Sequence, residues 1–145
     1  MSALRFQLLD ARAELPRRTH DGDAGLDLRA LDGGSIPPGE RLRVGTGLAV
    51  AVPEGWAGLV LPRSGLASRH GVTVANAPGL IDSGYRGELQ VLLINLDPGE
   101  RFDFEAGERI AQLVVVESMG GEPVLVDDLG ATERGEAGFG SSGRS

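Results

Sequence analysis

The close spacing of glycine and proline is the feature that most constrains the fold of this chain. The 145 residues include 23 Gly and 8 Pro, which divide the sequence into short apolar runs. Several runs alternate in polarity, as residues 41–44 do, and turn pairs such as DG, GG and PG separate them. Short alternating runs bounded by turn residues predict β-strands. The runs are LRFQLL, GLDLRA, RLRVGTGLAVAV, WAGLVLP, VTVAN, ELQVLLIN, RFDFEA, RIAQLVVVE and PVLVDD.

Strands at this spacing predict an all-β chain folded as a sandwich or barrel. Only SGLASRHG, residues 64–71, favours a short helical turn. The length suits one domain with a single core. The end of the chain, ERGEAGFGSSGRS, has no apolar period and has the composition of a flexible segment. We therefore expect a β domain over residues 1–131 and a flexible, glycine-rich lid over residues 132–145.

Charge and cysteine content exclude several classes of function. The formal net charge is −7, which makes the chain a poor candidate for binding duplex nucleic acid through phosphate neutralisation. No run approaches the length of a membrane span, and the first residues lack the apolar stretch of a signal peptide. The absence of Cys excludes disulfides and thiolate metal sites. We expect a cytoplasmic protein without nucleic-acid or membrane partners.

All 14 basic residues are Arg, since the sequence contains no Lys. Genomic base composition is the plain explanation. The chemical consequence is that Schiff-base catalysis and a Walker-type phosphate loop are both excluded, because each needs Lys. Any phosphate must then be bound by Arg, hydroxyl groups and backbone amides.

Two clusters in the first half of the chain carry polar residues suited to ion binding. In DAGLDLRA, Asp23 and Asp27 stand at the start of a predicted strand. Such carboxylates hold a hard cation, directly or through water, or remain solvated strand-edge acids. In LPRSGLAS, Arg63, Ser64 and Gly65 follow a strand-ending Pro. Their guanidinium, hydroxyl and amides suit an anion site. An ordinary capped turn would contain the same residues.

The stretch GLIDSGYRGE, residues 79–88, lies between two predicted strands and reads as a hairpin tip. A turn uses Gly, Asp and Ser, but it does not need Tyr85, Arg86 and Glu88 as well. Backbone groups of a hairpin suit a planar ligand such as a base, and Tyr85 suits the face of a sugar. Asp82 is either a turn cap or a general base acting on water.

Two further features complete the set. Gln112 lies inside a predicted strand, where a half-buried amide requires partners and either binds a ligand or bonds the backbone. Arg134 and Phe139 stand in the glycine-rich end, where a purely solvating tail would not use them. Taken in order, the clusters suit a nucleoside triphosphate bound with a divalent cation.

In content and order these segments resemble the five motifs of the trimeric dUTP diphosphatases, the dUTPase family. AGLDL, PRSGLA, GLIDSGYRGE, GERIAQL and RGEAGFGSSG match the first to the fifth motif within residues 23–143. The resemblance implies a distorted jelly-roll or barrel subunit, a homotrimer, and Mg²⁺-assisted hydrolysis of dUTP to dUMP and pyrophosphate. It further implies that one subunit supplies the first, second and fourth motifs to each site, another the hairpin, and the third the tail.

The resemblance also implies roles for individual residues. Asp82 matches the general base, Tyr85 the ring beneath the deoxyribose, and Asp27 an acid near the water shell of Mg²⁺. Backbone groups that read the uracil edge match those of Asn76, Leu80, Ile81 and Gln90. Phosphate-binding residues match Arg63, Ser64, Gly65 and Gln112. In the tail, Arg134 matches the γ-phosphate ligand and Phe139 the ring over the uracil, while Gly140, Ser141 and Ser142 close over the phosphates.

One position departs from the family pattern, and three other interpretations compete. Ala137 stands where the fifth motif usually has Gly, and it would be strained there if the position needs a positive φ. A related dCTP deaminase would carry a Glu ten residues after the hairpin Asp, where this chain has Leu92. A nucleotide-binding module without catalysis would have no use for Asp82. A β-sandwich interaction domain with a disordered tail would leave the ordered motifs unexplained.

Overall fold

The computed structural model describes residues 3–144, so Met1, Ser2 and Ser145, at the ends of the two predicted units, lie outside the described residues. Within that range the chain forms strands β1 to β10 and one helix, α1, which confirms the all-β prediction and the helical turn. The elements are β1 (Arg5–Leu8), β2 (Leu26–Arg29), β3 (Gly34–Ile36), β4 (Arg41–Ala51), β5 (Trp56–Leu61), α1 (Ser64–His70), β6 (Val72–Val74), β7 (Gly79–Ile81), β8 (Glu88–Asn95), β9 (Phe102–Phe104) and β10 (Arg109–Glu117).

Two four-stranded antiparallel sheets enclose the core. Their strand orders are β1-β4-β8-β6 and β2-β10-β5-β7, and β3 pairs with β9 beside them. Along β8 the side chains of Leu89, Val91 and Leu93 are buried and alternate with more exposed ones, as the period of two in a strand requires. They join Leu28 and Leu113 of the other sheet in one buried cluster. The core thus fixes the faces on which the polar residues of β2 and β10 emerge.

The predicted strand PVLVDD is wrong. Between residues 118 and 144 the structure contains no strand or helix, and nearly every side chain is exposed. Val124 and Leu125, for example, are 79% and 97% exposed. A strand needs a partner for its backbone hydrogen bonds, and neither sheet of this subunit offers one to these residues. We refer to residues 118–131 as the arm and to residues 132–144 as the tail.

The structure confirms that the two predicted strands on either side of GLIDSGYRGE pair with each other, but the stretch itself is not a simple hairpin tip, because it contains a strand of the other sheet. β6 pairs with β8, whereas β7 pairs with β5 in the other sheet. Residues 82–87, which we call the crossing turn, therefore carry the chain from one sheet to the other. Pro78, which lacks a backbone donor, lies between β6 and β7 and separates them. Polarity alternation locates strands but does not identify the partner of each strand.

None of the helices described within residues 3–144 is long and apolar enough to cross a membrane.

Candidate active site

A cleft of about 370 Å³ at the start of α1 brings together the predicted phosphate-binding residues Arg63, Ser64, Gly65 and Gln112. We call it the phosphate cleft after that prediction. β5 ends at Leu61, and Arg63 caps α1 in an extended conformation (φ −90°, ψ 129°) without a side-chain hydrogen bond to the helix. This geometry leaves the first amides of the helix uncapped by any side chain and turns Arg63 towards the cleft. Within the described residues the cleft is lined by Thr19, Asp23, Ala24, Gly25, Asp27, Leu61, Arg63, Ser64, Gly65, Gln112 and Val114.

Gln112 enters this cleft from β10 and is held in place by its surroundings. Its register partners are Asp27 on β2 and Leu61 on β5. Its side-chain amide donates to Pro62 O at 3.0 Å, so the backbone bond expected as the plain alternative does form. A Cβ added at Gly25 would overlap Gln112 Oε1. The glycine of the first motif therefore leaves the space that the glutamine of the fourth motif occupies.

Asp27 is the acidic centre of the cleft, and its side chain is 18% exposed. Thr19 Oγ1 donates to Asp27 Oδ2 at 2.8 Å. Arg109 Nη1 lies 3.5 Å from the same oxygen, and Arg63 Nε lies 3.9 Å from Oδ1. The carboxylate is thus surrounded by one hydroxyl and two guanidinium groups.

The described residues of this cleft do not form a complete metal site. Among residues 3–144, no group of three or more His, Asp or Glu side chains is placed to hold a metal ion. Asp23 and Asp27 do line the same cleft. Carboxylates are the ligand type that hard cations prefer, so this pair fits a hydrated cation that takes most of its ligands from elsewhere.

The crossing turn holds Asp82 and Tyr85 at the surface. Tyr85 N donates to Asp82 O at 3.0 Å, and the Tyr85 hydroxyl donates to Glu88 O at 2.9 Å. Arg86 Nη1 donates to the carbonyl oxygens of Ser83 and Tyr85 at 2.7 and 2.8 Å. Arg86 thus braces the turn from within.

Glu88 anchors the crossing turn to the neighbouring strand. Its Oε1 accepts from Gly47 N at 2.9 Å, where the pairing of β4 with β8 is irregular between Gly45 and Ala49. A Cβ at Gly45 would lie 2.7 Å from the same oxygen, so the carboxylate occupies the space that this glycine leaves. Gln90 Nε2 donates to the other carboxylate oxygen of Glu88 at 3.3 Å.

A single chain does not bring the predicted site together as a whole. The residues that line the phosphate cleft include none of the predicted nucleoside-binding set, which is Asn76, Leu80, Ile81, Asp82, Tyr85 and Gln90. Asn76, Leu80 and Gln90 are exposed, and Ile81 is half-buried. The two sets thus occupy different parts of the subunit surface.

The tail forms no hydrogen bond with the β domain among the described residues. Arg134 Nε donates to Ala137 O at 2.9 Å, and the hydrogen bonds of Gly140, Ser141 and Gly143 stay within the tail. The condition for strain at Ala137 is not met, because its φ is not positive. Phe139 instead has a φ of 49° and is fully exposed.

Two residues of the phosphate cleft and its edge were not singled out from the sequence, namely Thr19 and Arg109. Thr19 lies before the first motif, and only the folded chain brings its hydroxyl into contact with Asp27 of that motif. Arg109 does belong to GERIAQL, but its spacing of three from Gln112 places it on the opposite face of a regular strand. Only the structure shows the irregularity in β10 that changes this direction.

A β-sandwich with a polar cleft at the start of α1, an exposed turn that carries Asp and Tyr, and a glycine-rich tail has the features expected of the nucleotide hydrolases. The chain is a member of the dUTPase family. The model of that family matches residues 11–143.

Relatives and solved structures agree with this assignment. The deoxyuridine 5'-triphosphate nucleotidohydrolase of Mycobacterium marinum is 54% identical over 147 aligned positions, which cover 98% of this chain and 96% of the relative. That of Corynebacterium glutamicum is 50% identical and covers 100% and 97% of the two chains. A mutant dUTPase of Staphylococcus bacteriophage 80alpha, solved with dUpNHpp, has a TM-score of 0.91 at 32% identity, and the match covers 99% of this chain and 100% of that chain. The jelly-roll-like fold is thereby confirmed.

A second phage structure bears on metal binding. A mutant dUTPase of phage phi11 of S. aureus, solved to show the coordination of a structural Mg(II) ion, has a TM-score of 0.81 at 27% identity, with 88% of this chain and 98% of that chain covered.

Proposed function

We propose that this chain hydrolyses dUTP at sites that three copies of the chain assemble together. The reaction, conversion of dUTP to dUMP and pyrophosphate, follows from membership of the dUTPase family and from relatives of this name that match the whole chain. The activity keeps uracil out of DNA and supplies dUMP for dTMP synthesis. The observation that carries the shared site is the separation of the phosphate cleft from the crossing turn within one subunit.

Asp82 acts as the general base in this proposal. Its backbone is fixed by the crossing turn, through the bond from Tyr85 N to Asp82 O, while its carboxylate stays exposed to water. The carboxylate accepts a proton from the water that attacks the α-phosphorus.

Selectivity for the base and sugar comes from the same segment. Main-chain groups around Asn76, Leu80, Ile81 and Gln90 present the edge that pairs with uracil, so the 4-amino group of cytosine meets a donor. A tight backbone also rejects the methyl group of thymine. The Tyr85 ring, held by its hydroxyl at Glu88 O, packs beneath the deoxyribose and leaves no room for a 2′-hydroxyl.

The phosphates are bound by the cleft and covered by the tail. Arg63, Ser64, Gly65 and Gln112 supply a guanidinium, a hydroxyl, amides and a side-chain amide to the triphosphate. Arg134 binds the γ-phosphate and Phe139 stacks over the uracil when residues 132–145 close as a lid, a common device for excluding water. Closure over the phosphates is completed by Gly140, Ser141 and Ser142.

Mg²⁺ is the proposed cofactor, and Asp27 contacts its water shell. When bound, the ion neutralises phosphate charge and orients the triphosphate. The protein contributes a carboxylate that Thr19 and Arg109 already hold in one orientation, which suits contact through water better than direct ligation.

A homotrimer explains the exposed apolar residues of the arm. Met119, Leu125 and Leu129 are each at least 95% exposed in a single subunit, and an exposed apolar segment of this kind marks a protein–protein contact. Packing of the arm on a neighbouring copy would carry the tail to that neighbour's site. A cytoplasmic location completes the proposal, in keeping with a chain that has no Cys.

Pyrophosphate release in the presence of Mg²⁺ tests the function, with dUTP, dCTP, dTTP and UTP assayed in parallel. We expect turnover of dUTP alone. Asp82→Asn should retain nucleotide binding and lose about 100-fold or more in kcat, because general-base catalysis contributes that much. Ammonia release from dCTP would support the deaminase instead. Nucleotide binding without pyrophosphate release would support the binding module, and near-normal kcat in Asp82→Asn would disprove the role of Asp82.

A further inference from the structure

An irregularity in β10 turns Arg109 towards the phosphate cleft. Arg109 is paired with Arg29 and Ala111 with Leu28, so Ile110 is an extra residue relative to β2. Ile110 and Ala111 are both buried as a result. A β-bulge of this kind re-aims the side chains next to it. Arg109 therefore lies on the same side as Gln112, whereas a regular strand would place it on the other.

Arg109 and Thr19 converge on one oxygen of Asp27. Arg109 Nη1 donates to Thr19 Oγ1 at 3.1 Å and lies 3.5 Å from Asp27 Oδ2. The Thr19 hydroxyl in turn donates a hydrogen bond to Asp27 Oδ2 at 2.8 Å. The hydroxyl thus accepts from the guanidinium and donates to the carboxylate. The arrangement holds Asp27 through Oδ2, whereas Arg63 Nε is nearer Oδ1.

Arg63 is held loosely by comparison. Its Nη1 donates to the backbone oxygen of Arg109 at 3.1 Å, and its Nε stands 3.9 Å from Asp27 Oδ1. That distance is too long for a hydrogen bond. The donors of Arg63 that face the cleft are therefore available to a ligand.

We propose that Arg109 and Thr19 are positioning residues, which satisfy the Asp27 carboxylate and so keep Arg63 available for the triphosphate. The inference rests on the proposed function of the cleft. With Arg109 present, the two guanidinium groups and the carboxylate sum to one positive charge. Without Arg109, the charges of Arg63 and Asp27 sum to zero. These two side chains then form a close charge-assisted pair, since such pairs are strongly favoured. Arg63 then has fewer donors for phosphate.

Binding of a non-hydrolysable dUTP analogue and of dUMP to the assembled protein tests this proposal. We expect Arg109→Gln to weaken analogue binding and raise the KM for dUTP by about 10-fold, the value of a hydrogen bond to a charged group. Thr19→Val should have a smaller effect in the same direction, and Thr19→Ser should restore wild-type binding. Affinity for dUMP should change little. A misfolded site would instead lose affinity for both ligands, so the comparison separates the proposed effect from misfolding.

A double-mutant cycle with Asp27 supplies the decisive measurement. In an Asp27→Asn background no carboxylate competes for Arg63, so the loss caused by Arg109→Gln should shrink to about 2-fold or less, a non-additivity expected only of residues that act through each other. An equal loss in both backgrounds would overturn the proposal.

Arg29→Gln is the matched control. Arg29 is the register partner of Arg109 and carries the same charge, but it bonds Gly107 O at 2.7 Å and does not contact Asp27. A similar loss in Arg29→Gln would indicate a general charge effect and would overturn the proposal. If wild type hydrolyses dUTP and Arg109→Gln matches it in analogue binding, only the inference fails. If wild type does not hydrolyse dUTP, the proposed function itself fails.

Discussion

Asn95, at the end of β8, shows how one polar side chain joins distant parts of the fold. It is fully buried, and its Nδ2 donates to Ile36 O at 2.9 Å and to Glu100 O at 2.8 Å. Its Oδ1 accepts from Asp97 N at 2.9 Å. The amide thus ties the end of β3 to the loop between β8 and β9.

We expect Asn95→Ala to lower the free energy of unfolding by about 3 kcal/mol, because buried carbonyl and amide groups lose their partners. Denaturant unfolding of both proteins measures the difference. Gln7→Ala, at an exposed position of β1, serves as the control and should change stability by less than about 0.5 kcal/mol. A loss at Asn95 as small as that of the control would contradict the role given to this amide.

For single residues, the sequence identifies site residues that lie within a recognisable motif. It misses residues that reach the site only because the chain is folded. Ser64 and Gln112 were predicted because they lie in recognisable motifs, and the structure brings both to the cleft. Thr19 reaches Asp27 across eight residues of loop, a contact that no local pattern encodes. Arg109 was missed because its direction depends on a bulge, and a bulge has no periodic signature.

The tail is the element whose proposed function is most clearly separable from the stability of the fold. No described hydrogen bond joins it to the β domain, so folding of the subunit does not depend on it. We expect deletion of residues 132–145 to lower kcat/KM for dUTP by at least about 100-fold through loss of positioning, with a change in Tm below about 2 °C.

Two measurements on the same truncated protein test this expectation, namely pyrophosphate release and thermal unfolding. Arg134→Ala in the full-length chain is the companion variant and should reproduce part of the activity loss. A truncated protein that keeps full activity would remove the lid from the mechanism. A large fall in Tm would show that the tail supports the fold.

The loop between β8 and β9 makes stability depend on pH. Asp97 accepts from Glu100 N at 2.7 Å and from Gly99 N at 2.9 Å, and these backbone bonds lower the pKa of its carboxyl. A pKa lowered on folding stabilises the protein above the unfolded value, near 3.9, and this contribution is lost as pH falls through the folded pKa.

We therefore expect Asp97→Asn to flatten the acid limb of the stability curve, so that Tm falls less steeply below about pH 4 than in the wild type. Thermal unfolding across this range provides the measurement. Asp21→Asn removes the same charge from an exposed loop and controls for net charge. Parallel acid limbs for wild type and Asp97→Asn would contradict the assignment.

Most strands could be located from the sequence, whereas the only pairing that it indicated was that of the two strands flanking GLIDSGYRGE, which the structure confirms. The longer runs became strands close to the predicted positions, because their alternation reflects a buried face. PVLVDD has the same local composition but no neighbouring strand in its own subunit, so strand propensity alone did not form one. β3 and β7, with three residues each, are too short for any period to be detected.

For the whole molecule, the separation of the site residues gives a direct test of subunit sharing. Asp82→Asn and Arg134→Ala each inactivate a different part of the proposed site. If the crossing turn and the tail of one site come from different subunits, random reassembly of the two variants at equal amounts should restore about a quarter of wild-type activity. If both come from one subunit, reassembly should restore none.

Pyrophosphate release after mixing, dissociation and reassembly measures this recovery. Wild type carried through the same treatment gives the reference activity, and each variant reassembled alone gives the background. Light scattering should show the mass of three chains for every sample. A mass of one chain at micromolar concentration, or activity that stays at background, would argue against shared sites.

Trp56, the only tryptophan of the chain, lies at the root of the arm. It is paired with Glu117, the last residue of β10, and Ser118 N donates to the neighbouring Gly55 O at 2.8 Å. The indole is half-buried beside the point where the arm leaves the subunit. The protein therefore carries a single intrinsic fluorophore at the junction between subunit and arm, and its emission can follow assembly in real time without a label.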